Sequence, residues 1–147
     1  MTTAFYGEVD ERRRLALTAR LARSAAAAGT GELRLAGAGH FGGSVSSGRF
    51  GGAVLWVGLA GDVDVLGELA RACTRAGRGA GIELARRTFR AHLTLARLRQ
   101  PFDVDAWTAG LRDYAGPGWP LDRLALVSSR LGPDPSYADL ESWSLGG

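Results

Sequence analysis

Residues Phe89 to Arg99 read FRAHLTLARLR, with His92 and Thr94 alternating against Leu93 and Leu95. A period of two sends successive side chains to opposite faces of a strand, whereas an amphipathic helix needs apolar residues at every third or fourth position. The segment is therefore expected to be a strand. Its leucines would enter a core, leaving imidazole and hydroxyl side by side in a cleft.

The other elements follow from similar signals. MTTAFY is β-prone and ends at Gly7, like the tail of a strand. Asp10 can cap a helix to about Ala28, with Leu15, Leu21, Ala22 and Ala25 on its apolar side and Gly29 and Gly31 stopping it. ELRLAGA alternates through Leu33 and Leu35 and reads as a half-buried strand; Gly39 to Gly52 reads as a Gly/Ser-rich loop; AVLWVGL is a continuous apolar strand. Asp62 is placed to cap a helix to about Ala76, built on Leu66, Leu69, Ala70 and Cys73. Pro101 and Asp103 introduce a helix from about Val104 to Tyr114. PLDRLALVSSRL gives a strand with Leu124, Leu126 and Ser128 on one face, and YADLESWSL gives a short turn and the last strand. Alternating helices and strands are compatible with a parallel α/β sheet. The strands are short and partly joined by long loops, which favours an antiparallel α+β arrangement.

Composition narrows the setting. A length of 147 residues predicts a single domain, 1–147, and 46% hydrophobic with 22% charged residues is ordinary for a globular chain. No apolar run reaches the 18 or so residues of a membrane span, and MTTAFYGEVDERRR lacks the order of a signal peptide. The single cysteine, Cys73, excludes an intramolecular disulfide and fits a reducing cytoplasm; it reads as a small buried hydrophobe. A net charge of +3 points weakly to an anionic partner, because every one of the 18 basic residues is Arg and Lys and Asn are absent, a compositional bias.

His92 and Thr94 suit an anionic phosphate. An imidazole near its ordinary pKa of about 6.5 gives or takes a proton at neutral pH, and the hydroxyl can donate to a phosphate oxygen. Arg97 would lie on the leucine face of a regular strand, and needs a bulge or the strand end to reach the same oxygens. GAGHFGG is a phosphate-loop lookalike without the Lys-Ser/Thr and following helix of a P-loop. His40 reads as an exposed loop residue. Trp56, Trp107, Trp119 and Trp143 are expected in the core or at its rim. Arg12, Arg13 and Arg14 read as a solvated face, and Arg86, Arg87 and Arg90 are better placed to meet a phosphate chain.

The longer string FRAHLTLARLRQP resembles the second signature of the two-histidine phosphoesterases, specifically the LigT-like RNA 2′,3′-cyclic phosphodiesterases, also called 2′-5′ RNA ligases. In that family Phe-x-Pro-His-x-Thr-Leu-Ala-Arg is typical; here Ala91 stands for the proline. LRLAGAGHF, AVLWVGL and LALVSSRLGPDPSYADLESWSL follow the family's order along nearly the whole chain. The resemblance implies a bilobal α+β fold of two pseudo-symmetric halves, with antiparallel sheets and outer helices around a central cleft. Each half would contribute one His-x-Thr. One histidine would be general base on water and the other general acid on the leaving ribose oxygen, with no metal and no cofactor. His92 and Thr94 would be catalytic, and Thr2 and Arg97 would bind the phosphate. The partner would be RNA with a 2′,3′-cyclic phosphate end, or a related small phosphate ester, met by a monomer in the cytoplasm away from any membrane. The family's first signature, His-x-Thr-x-Ala-Phe-x-Gly, aligns with MTTAFYGE through Thr2, Ala4, Phe5 and Gly7, and puts its histidine immediately before Met1. The expectation is an N-terminally truncated chain, with the family's first strand and helix missing. Two other readings stand beside this one: a two-histidine phosphoesterase for a different cyclic or nucleotide phosphate, and a catalytically impaired phosphate- or RNA-binding fragment.

Overall fold

The computed structural model describes residues 1–43, 45–46, 49–85, 88–100, 103–130, 132 and 134–146. Arg86, Arg87 and Pro101 lie outside the described residues. The chain is α+β with antiparallel pairing, in the order α1 (Glu11–Ala26), β1 (Gly31–Gly42), β2 (Val45–Ser46), β3 (Arg49–Phe50), β4 (Ala53–Gly61), α2 (Val63–Gly79), β5 (His92–Leu98), α3 (Val104–Gly110), β6 (Ala115–Leu121), β7 (Arg123–Arg130) and β8 (Ser136–Ser144). It forms two compact units. One holds Met1, Glu32–Val63 and Arg90–Trp119; the other holds Thr2–Gly31, Asp64–Phe89 and Pro120–Gly147.

The first unit is built on a four-stranded sheet in the order β5-β4-β1-β6. β4 alternates cleanly, with Ala53, Leu55 and Val57 buried and Val54 and Trp56 half-buried. Ala53 and Leu55 form a cluster with Val104 of α3, closed over by Ala96, Leu98 and Trp107. α3 starts where Asp103 accepts the Ala106 N–H at 2.9 Å. It ends at Gly110, shorter than the expected run to Tyr114. β1 is longer than ELRLAGA suggested and runs through Gly42, so the first part of the expected loop is strand. His40 therefore sits on a strand, half-buried, rather than in an exposed loop. Glycines there let the backbones approach: a Cβ on Gly42, at φ +75°, would come 2.6 Å from the Gly52 carbonyl oxygen. β6, AGPGWPL, was not foreseen; as an edge strand it tolerates prolines that cannot donate to a ladder.

The second unit carries α1, α2 and the β7–β8 ribbon. Asp10 caps α1 by accepting the Arg13 N–H at 2.8 Å. The buried stripe is Leu17, Leu21 and Ala25, against β7 and β8; Leu15 is 58% exposed, one position out of register with that face. On α2, Leu66, Leu69, Ala70 and Cys73 are buried as the spacing predicts. Thr2–Asp10 forms no strand, contrary to the β-prone reading of MTTAFY. The segment is held against α2 instead: the Tyr6 hydroxyl donates to the Cys73 carbonyl at 3.1 Å, and Thr3 Oγ1 lies 3.7 Å from Cys73 Sγ.

Asp62 also departs from its expected role. Its carboxylate accepts the Glu32 N–H at 2.7 Å, and its own N–H donates to the Glu32 carbonyl at 2.9 Å. That exchange ties the chain just beyond β4 to the start of β1.

Candidate functional site

The site is set by the pairing of β5 on β4. Gly58 faces His92 and Trp56 faces Thr94, but Leu55 faces Ala96 and Val54 faces Arg97. Leu95 is therefore an extra residue, a β-bulge. Directly opposed residues share a face of the sheet, and Val54, Trp56 and Gly58 alternate onto one face of β4. The bulge consequently brings Arg97 onto the same face as His92 and Thr94. It equally sends Ala96 and Leu98 to the face of Ala53 and Leu55, where they complete the core. The expectation that Leu95 fills the core is corrected by this shift, whereas Leu93 still opposes the buried Val57. Leu95 stands at the bulge, 48% exposed, and Leu93 is 37% exposed.

Two further residues join this face through the pairing of β1 on β4, where Gly39 opposes Trp56 and Phe41 opposes Val54. The Trp56 indole lies across Gly39, whose missing side chain makes the room. Phe41 meets the His92 ring edge-on at a centroid distance of 5.2 Å and an interplanar angle of 87°. Trp56 is 6.3 Å from His92 and 5.4 Å from Phe41. Such aromatic pairs contribute about 0.5–1.5 kcal/mol beyond area burial, so they hold the imidazole plane. The Arg90 guanidinium lies over Phe41 at 5.9 Å. Sequence reasoning missed Phe41 and left Trp56 as a general core residue, because only strand pairing brings them to His92.

His92 Nδ1 is 2.7 Å from the Arg90 carbonyl oxygen. A carbonyl can only accept, so in the neutral ring Nδ1 carries the proton and donates it, which leaves Nε2 as the bare nitrogen. Nε2 makes no hydrogen bond among the described residues. The face thus presents an oriented proton-transfer nitrogen, a threonine hydroxyl and a guanidinium. That set can bind an anion and move a proton to or from it. Among the described residues no three His, Cys, Asp or Glu side chains are grouped to hold a metal ion. Nor is any helix among them long and apolar enough to cross a membrane.

His40 opposes Leu55, and so points to the face opposite His92. Thr2 belongs to the second unit and is exposed. Arg13 and Arg14 are engaged on their own helix, with Asp10 at 3.1 Å and Glu11 at 2.6 Å.

No protein-family model matches the chain, and no curated protein does either. Solved structures do. TT0787 of Thermus thermophilus is 29% identical, with a TM-score of 0.71 over 99% of this chain and 77% of that one. E. coli LigT complexed with 3′-AMP is 24% identical, with a TM-score of 0.74 over 99% and 76%; its complex with NADP+ gives 21% and 0.69. A further chain described as a phosphoesterase is 22% identical, with a TM-score of 0.71 over 99% and 76%. The fold of this chain is that of TT0787 and E. coli LigT.

Proposed function

We propose that this protein is an RNA 2′,3′-cyclic phosphodiesterase that opens the cyclic phosphate to a 2′-phosphate without a metal, and that in reverse it joins RNA ends through a 2′-5′ linkage. The observation that carries this reading is the shared face of His92, Thr94 and Arg97, with His92 Nδ1 anchored to a carbonyl. In hydrolysis, a water oxygen bonds to phosphorus as the bond from phosphorus to the 3′ oxygen breaks. The water proton passes to the base, and the acid protonates the leaving oxygen. His92 Nε2 performs one of these transfers, Thr94 donates to a non-bridging oxygen, and Arg97 neutralises the charge that builds on the phosphate. Thr2, which aligns with the threonine of the family's first signature, is a further candidate phosphate-binding hydroxyl. The ligands named for the E. coli LigT structures, 3′-AMP and NADP+, are phosphate esters of nucleosides, which supports this substrate class. In this reading the protein is a cytoplasmic monomer.

The test is turnover of an oligonucleotide ending in a 2′,3′-cyclic phosphate by the wild type and by His92→Ala. A positioned acid or base supplies about 10² to 10⁴ in rate. His92→Ala is expected to lower turnover by that order. Equal activity of His92→Ala and its parent overturns the assignment. Release of a 3′-phosphate in place of a 2′-phosphate overturns the proposed bond cleavage.

A further inference from the structure

We infer that the groove between α1 and α2 is a second nucleic-acid contact, one that holds the phosphodiester backbone of an RNA strand. Its cavity volume is about 410 Å³, within the roughly 300–1,000 Å³ of ligand sites. Arg20 and Arg23 on α1 and Arg75 on α2 line it, with Glu68 as the one acidic neighbour. Small residues, Ala27, Ala72 and Ala76 among them, keep its floor low.

Among the described residues, none of the three arginines forms a salt bridge. All three are exposed. The residues three and four away from Arg20, Arg23 and Arg75 include no Asp or Glu, but they do include other arginines: Arg20 with Arg23, Arg71 with Arg75, and Arg75 with Arg78. Like charges at these spacings destabilise a helix by about 0.2–0.5 kcal/mol a pair, a cost that a bound polyanion removes. Three guanidiniums spread over two helices offer more than one phosphate contact, and the guanidinium fork suits phosphate oxygens. The choice of RNA among polyanions rests on the function proposed above; the phosphate contact does not.

The test compares the wild type with Arg20→Gln/Arg23→Gln/Arg75→Gln, since glutamine matches arginine as a helix former. Circular dichroism and thermal unfolding establish that the variant folds. Anisotropy of a labelled single-stranded RNA with a free 3′ hydroxyl is read from about 50 to about 200 mM salt. The variant should bind roughly tenfold more weakly at low salt. Its slope of log K against log salt should be shallower by about 2, from three phosphates at about 0.7 each. Glu68→Gln should bind more tightly, and turnover of a 2′,3′-cyclic mononucleotide should be unchanged. Wild-type affinity and slope in the triple variant overturn the inference. So does an equal loss of polyglutamate binding, which would make the partner an acidic peptide. If the variant loses RNA affinity and no form of the chain hydrolyses a cyclic phosphate, the groove stands and the proposed activity falls. If hydrolysis is intact and RNA affinity is unchanged, the groove falls alone.

Discussion

Arg97→Met tests the bulge most directly. Without the extra residue at Leu95, Arg97 would sit on the face of Ala53 and Leu55; with it, Arg97 opposes Val54, on the face of His92 and Thr94. A hydrogen bond to a charged group is worth about 1.5–3 kcal/mol, and at about 1.4 kcal/mol per tenfold that range spans about 10- to 150-fold. Arg97 is exposed, and solvent screening moves the expectation to the lower end, about tenfold. Calorimetric titration with adenosine 2′-phosphate, the product-like ligand, measures it. Arg99→Met is the control, because Arg99 is exposed and lies beyond the end of β5. It should change affinity little, while Thr94→Val should weaken it in the same direction as Arg97→Met. The reasoning is refuted if Arg97→Met binds as tightly as the wild type, or if Arg99→Met costs more. Either result would mean that the bulge does not direct a guanidinium to the phosphate.

Three other outcomes follow from local chemistry. In Gly39→Ala the new Cβ would lie 2.9 Å from Trp56 Cε2 and nearer still to the benzo ring; overpacking of this kind costs about 1–3 kcal/mol, and an unchanged thermal midpoint would contradict the packing. Burial raises the Tyr6 hydroxyl and the Cys73 thiol above their ordinary pKa values. A group whose pKa is raised by folding stabilises the fold below its unfolded value and loses that contribution as pH climbs toward the folded one. Urea unfolding should therefore show stability falling above the ordinary thiol range of about 8.5, and falling less in Cys73→Ala; equal decline in both would remove Cys73 from the account. Finally, the chain has two histidines, so nitrogen-detected NMR can assign both rings, and neutral His92 should carry its proton on Nδ1. A proton on Nε2 would mean that the Arg90 carbonyl does not fix the tautomer.

Much of this architecture is legible in the chain because its causes are local. Asp10 can cap α1 from three residues away, and the Leu66, Leu69, Ala70 and Cys73 spacing selects the buried side of α2 without knowledge of the partner. β6 was illegible for the opposite reason. AGPGWPL is poor in β-formers and carries two prolines, and only an edge position beside β1 makes it a strand. The β-prone MTTAFY shows the same override in reverse, since Tyr6 and Thr3 are committed to Cys73.

The site divides along the same line. Alternation within FRAHLTLARLR is a property of consecutive backbone geometry, so the common face of His92 and Thr94 follows from the order of residues alone. Which face Arg97 takes depends on register against β4, where one surplus residue at Leu95 inverts every position after it. The placement of Phe41 and Trp56 around the imidazole depends on two strand pairings that join residues up to 51 positions apart, from Phe41 to His92. Spacing along the chain carries the chemistry of adjacent residues. Hydrogen bonding between distant strands decides what surrounds them.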